Sequence, residues 1–157
     1  MAPKIKDTAL SLWLVYLVLT VVDMLLLKFF GMSWFDAINH AFSTVSTGGF
    51  STKNNSLGYF TNDGVIWSTT IFMILSGINF LAHLKLYHKD LSGYKAEELK
   101  WYLILFIVLS LALTFTHIDL SGDSFYDAAK HSFFTIASVM TTTGFATIDY
   151  GTWSNLA

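Results

Sequence analysis

Three apolar runs, each long enough to cross a bilayer, limit this chain more than any other feature. They cover about Thr8 to Phe30, Val65 to Leu86 and Trp101 to Thr116. A crossing needs roughly 20 mostly apolar residues. Helices around a soluble core carry a polar face, whereas these runs are apolar all round. The expected fold class is therefore an all-α polytopic membrane protein. Lys4 and Lys6 precede the first run, and Lys85, Lys89, Lys95 and Lys100 cluster between the second and third. The segment between the first two runs has only Lys28 and Lys53, among Asp36 and Asp63. After the third run, Lys130 stands against Asp119, Asp123, Asp127 and Asp149. Lysine gathers on the cytoplasmic side, so the N-terminus and the middle loop read as cytoplasmic. The first run is too long for a signal peptide and has no small-residue cleavage site.

Between and after these runs the chain repeats itself. Ser33-Trp34-Phe35-Asp36-Ala37, with His40 further on, is matched by Ser124-Phe125-Tyr126-Asp127-Ala128 with His131. Thr47-Gly48-Gly49-Phe50-Ser51-Thr52 is matched by Thr142-Thr143-Gly144-Phe145-Ala146-Thr147. The openings and the glycine pairs align at offsets that differ by four residues, about one helical turn. The pattern predicts short helices over about Trp34 to Thr44 and Phe125 to Met140. Each starts behind a serine cap with an aspartate in its first turn. Residues 1–88 then form one complete span–re-entrant-helix–span repeat and 89–100 a cytoplasmic loop. Residues 101–157 form a partial second repeat of span, re-entrant helix and glycine loop.

The chemistry open to such loops is limited. Irregular backbone at membrane depth is tolerated only where protein or water covers it. The negative ends of both short helices point at the glycine segments, which favours a cation there. Backbone carbonyls can replace the water of a dehydrated cation without adding formal charge, and glycine lets the chain turn them inward. Phe50 and Phe145 would support the returning chain by anchoring it in apolar surroundings. The competing reading is that each glycine merely caps a helix.

These segments, Ser43-Thr44-Val45-Ser46-Thr47-Gly48-Gly49-Phe50-Ser51-Thr52 and Thr141-Thr142-Thr143-Gly144-Phe145, resemble the Trk/Ktr/HKT superfamily of potassium transporters. So do Leu12-Trp13-Leu14-Val15-Tyr16, Gly58-Tyr59-Phe60 and Leu75-Ser76-Gly77-Ile78-Asn79-Phe80. The match is nearest to the bacterial Trk-type membrane subunit, through its second repeat and the first half of its third. The resemblance implies a potassium-channel-like fold with re-entrant pore loops, four repeats around one pore and one key filter glycine in each. Gly49 and Gly144 match that glycine, and Gly48 is an extra neighbour. Potassium would then shed water onto carbonyls of Ser46, Thr47, Gly48 and Gly49, and of Thr141, Thr142, Thr143 and Gly144. The resemblance further implies K+ uptake across the bacterial inner membrane, a homodimer and a cytosolic nucleotide-binding regulatory subunit. The rest of the pore would lie outside this chain.

Other residues read as supporting. Asp23, inside the first run, is expected near its outer end, within reach of water or Lys28. Asn79 and His83 share a helix face and could line an inner cavity or a subunit contact, but suit helix–helix hydrogen bonding better. His40 and His131 are expected to pack or hydrogen-bond behind the filter. The formal charge of −2 leaves no basic face for nucleic acid. Cysteine is absent, and no nucleophile–base pair, phosphate loop or cofactor motif occurs, so no enzyme is expected. Besides membrane lipid, the remaining alternatives concern assembly: a subunit of a multi-subunit cation channel, or a non-conducting membrane scaffold.

Overall fold

A computed structural model describes residues 5–87, 97–121 and 124–148. Among these residues the chain is helical, with no strand. Helix α1 covers Ile5–Phe29, α2 Trp34–Val45, α3 Asp63–Gly77, α4 Phe80–Tyr87, α5 Glu97–Ser121 and α6 Phe125–Met140. Helix α1 packs on α2, α3 and α4, and α6 packs on both α3 and α5. Two helices, over Ala9–Phe29 and Glu97–Ile118, are long and apolar enough to cross a membrane, and only 22% of each apolar window is buried. A core helix of a soluble protein would be mostly covered. Leu27, Met32, Leu57, Met73, Phe134 and Phe145 fill the interior between the helices.

Local chemistry explains where the elements stop. Gly31 has φ +103°. Its N–H bonds the Lys28 carbonyl at 3.1 Å, and the Met32 N–H bonds that of Leu27 at 3.1 Å. That paired pattern closes a helix C-terminus, with the buried Leu27 and Met32 making its usual apolar contact. Ser33 caps α2: its Oγ accepts from the Asp36 N–H at 3.0 Å and donates to Asp36 Oδ2 at 2.9 Å. Ser124 makes no side-chain cap bond, unlike the serine cap expected for α6. Its backbone carbonyl alone serves the helix, accepting from Ala128 at 3.0 Å. The predicted length difference is present, with 16 residues in α6 against 12 in α2.

The second apolar run is not one helix. It breaks at Ile78 and Asn79, between α3 and α4. A Cβ at Gly77 would lie 2.5 Å from the Tyr102 hydroxyl and 2.8 Å from Thr141 Cγ2, so a larger residue there would push those side chains aside. The carbonyls freed by the break are taken up: Tyr102 Oη donates to Ile74 O at 3.3 Å, and His83 Nε2 bonds Leu75 O at 2.9 Å. His83 thus makes a helix–helix hydrogen bond across the break, from α4 to α3. The third run extends to Glu97 at its start. The expected cytoplasmic loop over 89–100, with Lys89 and Lys95, lies mostly outside the described residues, as do Asp123, Asp149 and the end of the chain.

Candidate functional site

Both glycine segments leave their helices by the same route. At the end of α2, the Thr47 N–H bonds Thr44 O at 3.0 Å and the Gly48 N–H bonds Ser43 O at 2.7 Å. At the end of α6, the Thr142 N–H bonds Val139 O at 3.1 Å and the Thr143 N–H bonds Ser138 O at 2.9 Å. The left-handed position of each cap is a threonine, with φ 51° at Thr47 and 56° at Thr142. Glycine normally sits there, because a β-branched residue is strained in that conformation. The glycines come two residues later, at φ 69° for Gly49 and 87° for Gly144. They therefore do not cap the helices. Positive φ at alternate residues breaks strand alternation and lets successive carbonyls gather on one side.

Among the described residues, no group donates a hydrogen bond to the carbonyls of Ser46, Thr47, Gly48 or Gly49, or of Thr141, Thr142, Thr143 or Gly144. The residues that bear them are largely open: Ser46, Thr142 and Gly144 are exposed and Thr47, Gly48 and Gly49 half-buried, so these carbonyls can meet a ligand or solvent.

The two loops also meet. A Cβ on Gly49 would fall 1.9 Å from the Thr143 carbonyl oxygen, so the first loop lies directly against the second. The 3₁₀ turn Ser56–Tyr59 clasps the second loop after its glycine. The Leu57 and Gly58 N–H groups bond Ala146 O at 3.0 and 3.2 Å, and the Ala146 N–H bonds Ser56 Oγ at 3.2 Å. Gly144 has nothing within 4 Å of its Cβ position.

Side chains behind the loops hold them in place. His40 is buried, with Nδ1 on Asp36 O at 2.7 Å and Nε2 on Ser51 Oγ at 2.9 Å. His131 Nδ1 bonds Thr147 Oγ1 at 2.9 Å. Each histidine thus grips the chain just past its glycine. Phe145 is buried, its ring 5.9 Å from that of His40, and Ser138 Oγ donates to its carbonyl at 2.8 Å. Phe50 differs from the expected anchor: it is 81% exposed and lies over Gly48. Thr141 and Thr143 share a hydroxyl–hydroxyl bond of 2.7 Å.

Charge sits at the helix starts. Asp36 accepts from the Thr52 hydroxyl and pairs with Lys53 at 3.3 Å. The Thr52 hydroxyl, followed by Ser33 and Lys53, outweighs partial burial and holds the Asp36 carboxyl below its usual range. Lys130 bridges Asp63 at 2.8 Å and Asp127 at 2.9 Å, tying α6 to α3. Asp23 is fully buried, not near water, and Lys28 turns away from it to bond Met32 O at 3.2 Å. The left-handed threonines and the Gly49–Thr143 contact had no signal in the sequence beyond the repeat itself. No group of three or more His, Cys, Asp or Glu side chains among the described residues could hold a metal.

The family model for TrkH, a cation transport protein, matches residues 1–157. The chain is 36% identical to the Trk system potassium uptake protein TrkH of Escherichia coli K12, over 98% of this chain and 32% of that protein. It is 34% identical to TrkH of Halomonas elongata, over 98% of this chain and 32% of the relative. The solved structure of the potassium transporter TrkH from Vibrio parahaemolyticus superposes with a TM-score of 0.90 at 33% identity. That match covers 98% of this chain and 34% of the solved one. The chain spans about a third of the length of the curated relatives it matches.

Proposed function

The chain belongs to the TrkH family of cation transport proteins, and from that premise we propose that it supplies two quarters of a potassium-selective filter in a longer membrane transporter. One observation carries the reading: the two adjacent runs of unpaired carbonyls at Ser46–Gly49 and Thr141–Gly144. A dehydrated K+ takes oxygens from such carbonyls in place of water, and the negative ends of α2 and α6 add favourable potential. No bond is made or broken. The transmembrane potential drives uptake at about 2.3 kcal/mol per charge per 100 mV.

The names of the relatives, Trk system potassium uptake proteins, support K+ as the cargo. The lysine distribution supports a cytoplasmic N-terminus and a cytoplasmic middle loop in the inner membrane. In the same reading, residues 1–88 form a full repeat, with α2 and α6 as re-entrant pore helices. A homodimer and a cytosolic nucleotide-binding regulatory subunit complete the assembly, the subunit docking on the loop between Lys85 and Lys100.

The test is K+ uptake by potassium-uptake-deficient cells that express the complete protein carrying this chain. Gly49→Val should insert normally in the membrane and lose uptake. Unchanged uptake in that variant would rule out a filter and favour a scaffold.

A further inference from the structure

Asp23 is an acid inside the apolar stretch of α1 that the ion pathway leaves unused. It is 0% exposed, and neither carboxyl oxygen closes a hydrogen bond. An isolated carboxylate so placed would cost several kcal/mol. The hydroxyls beside it are Ser68 of α3 and Thr44 of the last turn of α2. Neither completes a bond to it in the observed geometry.

The two hydroxyls differ in what they can offer. Thr44 Oγ1 already donates its proton to the His40 carbonyl at 2.7 Å. Toward Asp23 it presents only lone pairs, which would repel a carboxylate. Ser68 Oγ has no partner, so its proton is uncommitted. A carboxylic acid fits both: its O–H donates to Thr44, and its carbonyl accepts from Ser68. The same proton removes the buried charge. We propose that Asp23 is held protonated and pins the last turn of α2 to α1 and α3, so positioning the first glycine loop. The link to the loop is short, because the Thr44 carbonyl accepts from the N–H of the strained Thr47 at 3.0 Å. Asp23 is thus a positioning residue, acting through Thr44.

The experiment uses the complete transporter in liposomes, with Asp23→Asn, Asp23→Leu and Thr44→Val, and rests on the proposed function only for its flux readout. Asparagine reproduces the acid, with its amide donating to Thr44 and its carbonyl accepting from Ser68. It should keep the K+ over Na+ preference within about twofold, whereas leucine should cut it by about tenfold. Thr44→Val should match leucine, and it decides the matter if Asp23→Leu does not fold. Infrared difference spectra of wild type against Asp23→Asn should show a protonated-carboxyl C=O stretch lost in the variant. Absence of that band would overturn the proposal. So would an Asp23→Asn as damaged as Asp23→Leu, which would point to a needed charge or a bound cation. Unaltered preference in both Asp23→Leu and Thr44→Val would overturn it too. If the wild type carries no K+, the filter reading fails, while the infrared band still decides the proton on Asp23.

Discussion

The first and second glycine loops share a backbone and differ in what holds it. Each leaves its helix through a left-handed threonine and turns again at a glycine two residues on. The tethers are shared only in part: His40 and His131 each grip the chain past their glycine, and the rest differ. The first loop is fastened within its own repeat, by Asp36 to Thr52 and Lys53 and by His40 to Ser51. The second is fastened partly across repeats, by Lys130 to Asp63 and by Ala146 to the turn at Leu57 and Gly58. The duplication therefore preserves the carbonyl-bearing backbone, and the side chains around it adapt to whichever neighbour is at hand.

The largest expected effect separates the two glycines. Gly49→Ala places a methyl 1.9 Å from the Thr143 oxygen, in a left-handed conformation, so both loops must move. A shift of that order should lower K+ uptake by about 100-fold. Gly144→Ala meets no atom of this chain and carries only the left-handed strain, about 1–2 kcal/mol. It should lower uptake by about tenfold. Equal losses in transport assays would show that a segment beyond this chain packs on Gly144.

Next comes the cross-repeat tether. The Lys130 side chain is 9% exposed and serves two carboxylates. Lys130→Met leaves Asp63 and Asp127 facing each other and should cost about 2 kcal/mol, discounted for the exposure of both acids. Lys53→Met removes a single longer, more open pair and should cost less than about 1 kcal/mol. Thermal unfolding in detergent reads both. Equal costs would mean that the second repeat does not depend on α3 as the geometry indicates.

How much of this was legible before the structure follows from range. The long apolar helices, the two short helices and their one-turn difference in length are local or periodic signals, and they stand in the sequence. The Ser33 cap is local too, since its partner Asp36 lies three residues away. The break at Ile78 and Asn79 was hidden, because hydropathy runs on through it while the groups that take up the freed carbonyls, Tyr102 and His83, come from other helices. The left-handed threonines were hidden for the opposite reason: nothing local marks a β-branched residue for that conformation, while Gly49 and Gly144 adopt the positive φ expected of glycine. The position of Asp23 near a helix end suggests access to water, but a one-dimensional position says nothing of which face is covered. The meeting of Gly49 with Thr143 needs both loops at once.

A further contrast tests the tethers by pH. Thr52 is the main cause that keeps the Asp36 carboxyl below its usual range. A depressed carboxyl contributes stability above its unfolded value, about 4, and loses it as pH falls through the lower folded value. Thr52→Val should therefore cost about 1 kcal/mol near neutral pH. The cost should fade in acid, where Asp36 is protonated in both proteins and wild type and variant converge. The matching residue of the second loop, Thr147, bonds His131 and, among the described residues, no carboxylate. Thr147→Val should cost a similar amount at neutral pH without that convergence below pH 4. Unfolding curves run across the acid range would show one pair of proteins meeting and the other staying apart. If both pairs met, the two loops would share a titrating tether, and the difference between them would be one of position only.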